Sequence, residues 1–223
     1  MTTTLAELKT RARERADQTN STFISDSELL SYINSSYAEL YDILVSRFED
    51  YYTTSVTFSI ASGNSYSLPS DFYKLRGVDY NISGDNYVTL QKFNFHDRNG
   101  RNPNTSLFVD RGLYGNKLRY RVLANELILE PSESAVGNYK LWYIPTYTRL
   151  ASDSDTVDGI NGWEEYIVVD VAIKMLSKEE SSTTHLDTEK EALLKRIRDM
   201  AQNRDANAPE RIADVYVEDS EWL

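Results

Sequence analysis

The 223-residue sequence predicts an α+β protein: a helical bundle of two N-terminal and two C-terminal helices, an inserted antiparallel β sandwich or barrel-like subdomain, and an extended C-terminal tail. Three observations carry that prediction. Apolar residues recur at helical spacing near both ends of the chain, and the middle switches to strand-like alternation rich in tyrosine. The helical pattern then stops ahead of an apolar-acidic terminus. The corresponding boundaries are 1–50 for the first helices, 51–150 for the β insertion, 151–207 for the returning helices and 208–223 for the arm.

The first helix begins near Thr4, where Thr4-x-x-Glu7 fits a capping box that satisfies otherwise orphaned N–H groups of the first turn. Leu5, Leu8, Ala12 and Ala16 line one face, with Lys9, Arg11, Arg13 and Arg15 on the wet side. Asn20 and Ser21 end it. A second capping box, Ser25-x-x-Glu28, opens the next helix, with Ile24 and Leu29 placed as a hydrophobic staple. Its stripe is Leu29, Ile33, Tyr37, Leu40, Leu44 and Phe48, with Tyr41 alongside. About 24 residues of helix would span roughly 36 Å.

Eleven of the sixteen tyrosines lie between Tyr51 and Tyr147, a concentration that suits half-buried pleated surfaces. Ser55–Ile60 alternates, and Ser62-Gly63-Asn64 reads as a hairpin turn into Tyr66 and Leu68. Tyr87–Phe93, Lys117–Val122, Glu126–Glu130 and Tyr139–Tyr147 are further strands, the middle two joined tightly through Leu123-Ala124-Asn125. Between Asn94 and Gly115 the pattern allows one short helical turn and a loop. Helix returns at Trp163, capped by Asn161 with Glu164 at the third helical position. Its apolar face is Tyr166, Ile167, Val169, Ala172, Ile173 and Leu176. The last helix runs from about Leu186 to Asn203 and carries Leu193, Leu194, Ile197, Met200 and Ala201, before Asn207-Ala208-Pro209 stops it.

Composition narrows the function. The net charge is −11, and the acid is concentrated: Ser152–Asp170 holds six acidic residues and no basic one, and Asp205–Leu223 holds six against the single Arg211. Binding DNA through its phosphates needs a basic face, and none stands out in the sequence, whereas acidic surfaces repel DNA, which is useful in a channel that DNA must slide through without sticking. No apolar run reaches the roughly 20 residues of a membrane span, and the N-terminus lacks a signal-peptide core, so synthesis in the cytoplasm and no membrane partner are expected. Without cysteine there are no disulfides or thiolate metal sites.

No catalytic, cofactor or metal residues are assigned. His96 and His185 fall in segments read as loops, and no nucleophile elbow, phosphate loop or His-Glu-x-x-His is present. Asp153-Ser154-Asp155-Thr156-Val157-Asp158-Gly159 resembles a calcium loop only in part. Val157 takes a ligand position, the glycine is one place late, and the flanks are strand and helix, so it reads as an acidic connector capped onto the next helix. Trp142, Tyr143 and Tyr147 could stack on a sugar, but alternation puts Trp142 on the opposite strand face, which favours core or subunit contact. The tail holds the sharpest signal. Ile212, Val215, Tyr216, Val217, Trp222 and Leu223 suit an arm that adds to a partner's sheet edge or groove, or that folds back on its own domain.

Ser25-Asp26-Ser27-Glu28-Leu29-Leu30 and its continuation to Tyr41 resemble the second helix of head-to-tail adaptor (connector) proteins of tailed bacteriophages. Leu68-Pro69-Ser70-Asp71-Phe72, continuing to Val78, is similar to their turn into the β region. Leu141-Trp142-Tyr143-Ile144-Pro145 and the run from Trp163 to Glu180 are similar to later segments. The resemblance implies a virion neck protein, usually a ring of twelve copies under the portal, whose channel passes DNA without reading its sequence. It also implies a second contact with a downstream tail or neck protein, and makes 212–223 the portal-binding arm. In another class stands a carbohydrate-binding or wall-degrading phage module, and within the class a tail-completion protein.

Overall fold

A computed structural model describes residues 2–19, 23–97, 118–158 and 160–201, and among these described residues four helices and ten strands form two units. The described residues up to Phe48 and those from Ala151 to Ala201 make one unit, and the described residues between Glu49 and Leu150 make the other.

In the helical unit, α1 (Leu5–Arg15) carries both halves of its capping box: Glu7 N–H donates to Thr4 Oγ1 at 3.3 Å and Thr4 N–H to Glu7 Oε2 at 2.8 Å. Thr2–Thr4, ahead of it, form β1, antiparallel to β10 (Thr156–Asp158). The acidic connector therefore caps α1, where a cap on the helix after it was expected. Leu5 N–H donates to the Asp155 carbonyl at 2.8 Å and Ala6 N–H to that of Asp153 at 3.2 Å. These are first-turn donors that the helix itself leaves unpaired.

Ser25 caps α2 (Asp26–Arg47) through Glu28 N–H, but the reciprocal half of that box is missing. The Glu28 carboxylate instead accepts from Tyr32 Oη at 2.8 Å and from Lys178 Nζ at 2.7 Å, the latter on the neighbouring α3 (Glu165–Lys178). Those bonds hold the Glu28 carboxyl below its ordinary pKa. Leu29, Ile33, Leu40, Tyr41 and Leu44 are buried as their spacing requires, while Tyr37 and Phe48 are half-buried. Helix α3 packs against α1, α2 and α4 (Thr184–Ala201). Its buried set is wider than one stripe: Tyr166 through Ala172, with Met175. Asn161 does not cap it. That residue sits at φ 55° in a 3-10 turn, and Glu164 at the helix start makes no side-chain cap. On α4, Ile197 and Ala201 are buried but Met200 is exposed. His185 lies within that helix, not in a loop, and the expected end at Asn203 is outside the described residues.

The β unit contains two four-stranded sheets. One has the order β2 (Thr54–Ile60), β9 (Gly137–Pro145), β4 (Phe72–Ser83), β5 (Asn86–Thr89). The other runs β3 (Ser65–Ser67), β8 (Glu126–Glu130), β7 (Arg119–Leu123), β6 (Gln91–Lys92). Both feed one core: Phe58, Val78, Tyr139 and Leu141 from the first, Tyr120, Leu127 and Leu129 from the second. Three expectations are corrected. Gly63, at φ 78°, makes its turn, yet β2 pairs with β9 and β3 with β8, so the turn carries the chain between sheets and closes no hairpin. The longest strand, β4, went unread. The second sheet is mixed, since β6 and β7 run parallel. Gly137 is required sterically, because a Cβ there would lie 2.7 Å from the Tyr80 ring.

The β7–β8 link is the tight turn expected, with Ala124 at φ 52°. A Cβ is strained in that conformation and glycine is not. Ala124→Gly is expected to raise stability by about 0.5 kcal/mol, visible as a higher urea midpoint at unchanged slope.

Candidate functional site

Two clusters of polar side chains have definite geometry, one in each unit. In the helical unit, Asp170 projects from mid-α3 and is only 3% exposed. Three donors surround it: Ser36 Oγ of α2 at 2.6 Å, Lys174 Nζ at 2.7 Å and Lys190 Nζ of α4 at 2.6 Å. Glu39 lies 3.7 Å from Lys174 and 3.8 Å from Lys190, and accepts from Tyr166 Oη at 3.0 Å. Lys190 also lies over the Tyr166 ring, 5.3 Å from its centroid. One carboxylate thus joins three helices.

The electrostatics fix the charge states. Burial pushes the Asp170 carboxyl up, but hydrogen bonds from Lys174, Lys190 and Ser36 outweigh it and hold the pKa below the usual carboxylate value. Burial pushes Lys190 down, yet Asp170 leaves it above the ordinary lysine value. Burial raises Tyr166 to about 12. Asp170 and Lys190 are thus held charged and Tyr166 is held as the neutral phenol. The cluster fastens helices.

In the β unit, the outer face of the first sheet carries Ser55, Thr57 and Ser59 on β2, Lys140 and Trp142 on β9, Asp79 on β4, and Tyr87 and Thr89 on β5. Trp142 Nε1 donates to Asp79 Oδ2 at 2.6 Å, and Lys140 Nζ lies 4.4 Å from the Trp142 ring centroid. On the opposite face Tyr143 is buried, its hydroxyl donating to Asp71 at 3.1 Å. Burial, then that bond, raises its pKa. Trp142 and Tyr143 therefore share no sugar platform.

A family model described as "SU10 adaptor protein" matches residues 3–213. The chain belongs to the SU10 adaptor protein family. No curated protein matches it. Membership makes it a structural adaptor of a bacteriophage particle, associating with other head or tail proteins.

An adaptor's working parts are surfaces, and the structure places the expected ones unevenly. The arm residues Ile212, Val215, Tyr216, Val217, Trp222 and Leu223 lie outside the described residues. His96 sits in a 3-10 turn (Phe95–Asp97) and His185 in the first turn of α4, in different units. Among the described residues no group of three or more histidines and carboxylates could hold a metal. Within the acidic connector, Asp155 Oδ2 accepts from the N–H groups of Ala151 and Ser152, which lower its pKa, and Asp153 pairs with Lys9 of α1 at 2.6 Å. An open cleft of about 380 Å³ beside α4 is lined by Arg47, Glu191, Leu194, Lys195, Arg198 and Asp199. No described helix is long and apolar enough to cross a membrane. Sequence reading missed the Asp170 cluster. Its linear signal was Asp170 and Lys174, four apart inside the otherwise apolar run from Tyr166 to Met175.

Proposed function

We propose that this SU10-family adaptor is a neck protein that performs no reaction. It forms a ring, twelve copies by resemblance, that joins the portal to the tail and lines the DNA channel. The observation that carries the reading is the family match, which spans both units. The four helices serve as a bundle that forms the ring body, and the β unit is a sandwich-like insertion. The acidic composition suits a channel wall that DNA must pass without sticking. Host cytoplasm is the place of synthesis and the virion neck the destination. Many copies of a modest contact make a firm joint through effective concentration.

Residues 208–223 act as the arm, with Ile212, Val215, Tyr216, Val217, Trp222 and Leu223 contacting portal. Deleting Pro209–Leu223 is expected to leave the unfolding midpoint unchanged and to weaken capture of the protein by portal about tenfold or more. Solution mass with and without portal, together with thermal unfolding, checks both halves. A truncated protein that loses stability severely would put the arm in its own core. A full-length protein that stays monomeric and ignores portal would sink the neck reading.

A further inference from the structure

Among the described residues, the first sheet of the β unit has an unpaired edge at each end. β2 is paired only with β9 and β5 only with β4, and among the described residues no backbone group pairs with the outer side of either. Free edges are normally blunted by charge, proline or a bulge, because a bare row of N–H and C=O groups templates another strand. Here that protection is inverted. Neither Thr54–Ile60 nor Asn86–Thr89 contains a charged residue or a proline, whereas the inner strands carry Lys74, Arg76, Asp79 and Lys140. The β2–β9 register is unbroken over seven pairs, and the irregularities of the sheet fall along β4.

We infer that this sheet continues from copy to copy, β5 of one chain adding to β2 of the next. The inference rests on the ring reading above and names the contact. Strand parity supports it. All neighbours in the sheet are antiparallel and the strands number four, so β2 and β5 run in opposite directions. Copies facing the same way therefore meet β5 against β2 antiparallel, the pattern the sheet already has, in a head-to-tail contact that can close a ring.

Side chains agree with it. Val88 aligns through Tyr80 and Tyr139 with Phe58, on the core-facing side, yet is 49% exposed because the sheet ends there. A neighbour's β2 would extend that apolar row over it with Phe58 and half-buried Val56. On the outer face one row reads Thr57, Lys140, Asp79, Thr89. Head-to-tail addition sets the Asp79 end of one copy toward the Lys140 end of the next. A two-fold β2–β2 junction would bring lysine toward lysine and leave β5 bare. The second sheet is a poorer candidate, since its edges have three residues and two.

The chain has no cysteine, so introduced thiols report directly. Ser55→Cys, Thr57→Cys and Ser59→Cys on exposed β2 positions, each combined with Thr89→Cys on β5, span the possible registers. Mild oxidation of the assembled protein is expected to give a ladder of linked copies from at least one double variant and none from the four single variants. Val88→Lys should weaken self-association about tenfold at an unchanged unfolding midpoint. Assembly without any ladder, or linked dimers from a single β2 variant, overturns the edge contact and spares the ring. A protein monomeric at every concentration and in the presence of portal overturns the ring reading first, and this contact with it.

Discussion

Asp170→Ala is expected to lower the free energy of unfolding by about 3 kcal/mol, the largest loss for any single polar substitution in the helical unit. Only the carboxylate disappears; the charges it balanced stay. Lys174 and Lys190 remain in place, each about one-quarter exposed, with their nearest described counter-charge reduced to Glu39 at 3.7 and 3.8 Å. Ser36 loses its 2.6 Å acceptor as well. The cost is therefore that of stranding partners, which exceeds the net worth of the pair. Acid should diagnose it. Because the folded pKa of Asp170 lies below its ordinary value of 3.8, its contribution is present above that value and is lost as pH falls through the folded one. Lys190 has the opposite sign: its contribution is present below the ordinary lysine value of 10.5 and fades as pH rises past the elevated one. Urea titrations from neutral pH to about pH 2 should show wild type losing stability that the alanine variant never had. Parallel losses in both would refute the assignment.

Tyr139→Ala should cost the β unit about 3–4 kcal/mol. The ring is 1% exposed, stacks on Phe58 at 5.1 Å and meets Tyr80 edge-on at 5.4 Å between centroids. Its hydroxyl donates to the Ala135 carbonyl at 2.7 Å, and burial raises its pKa to about 12. Tyr139→Phe keeps the rings in contact but strands that carbonyl, and should cost about 1 kcal/mol. Near-ultraviolet circular dichroism and a urea series on the three proteins separate packing from the hydrogen bond. Equal losses for the two variants would mean that the hydroxyl, not the ring, supplies the stability.

What could be read from the sequence was whatever neighbours along the chain decide. Thr4 with Glu7, the stripe from Leu29 to Leu44 and the turn at Ala124 all involve residues a few positions apart, and each appears in the fold. Long-range pairing overrode the local signal elsewhere. Ser62-Gly63-Asn64 turns as its residues demand, but the strands it joins are claimed by β9 and β8, some seventy residues on. β4 escaped because Lys74, Arg76 and Asp79 punctuate it and two register shifts against β9 destroy its alternation. Glu28 was expected to bond its own cap, and a lysine 150 positions away takes it instead. The Asp170 cluster needs α2, α3 and α4 together, which no window of sequence shows. The arm was singled out by composition alone, and its contacts are a matter for the deletion proposed above.

The pairing of Thr2–Thr4 with Thr156–Asp158 also governs the order of events at the ribosome. The first helix is made early with its Thr4–Glu7 capping box within reach, but the carbonyls that accept from Leu5 and Ala6 wait on Asp155 and Asp153, and α3, against which it packs, comes later still. At about 5–20 residues per second that delay is roughly 8–30 s, during which α1 has α2 to pack against but not α3. The β unit is continuous from Glu49 to Leu150 and has no such wait. Nascent chains stalled once Leu150 has cleared the ribosome, with α3 still to emerge, should therefore hold a finished β unit and an unfinished helical one, so that the emergence of α3 and α4 sets when the subunit becomes competent to assemble.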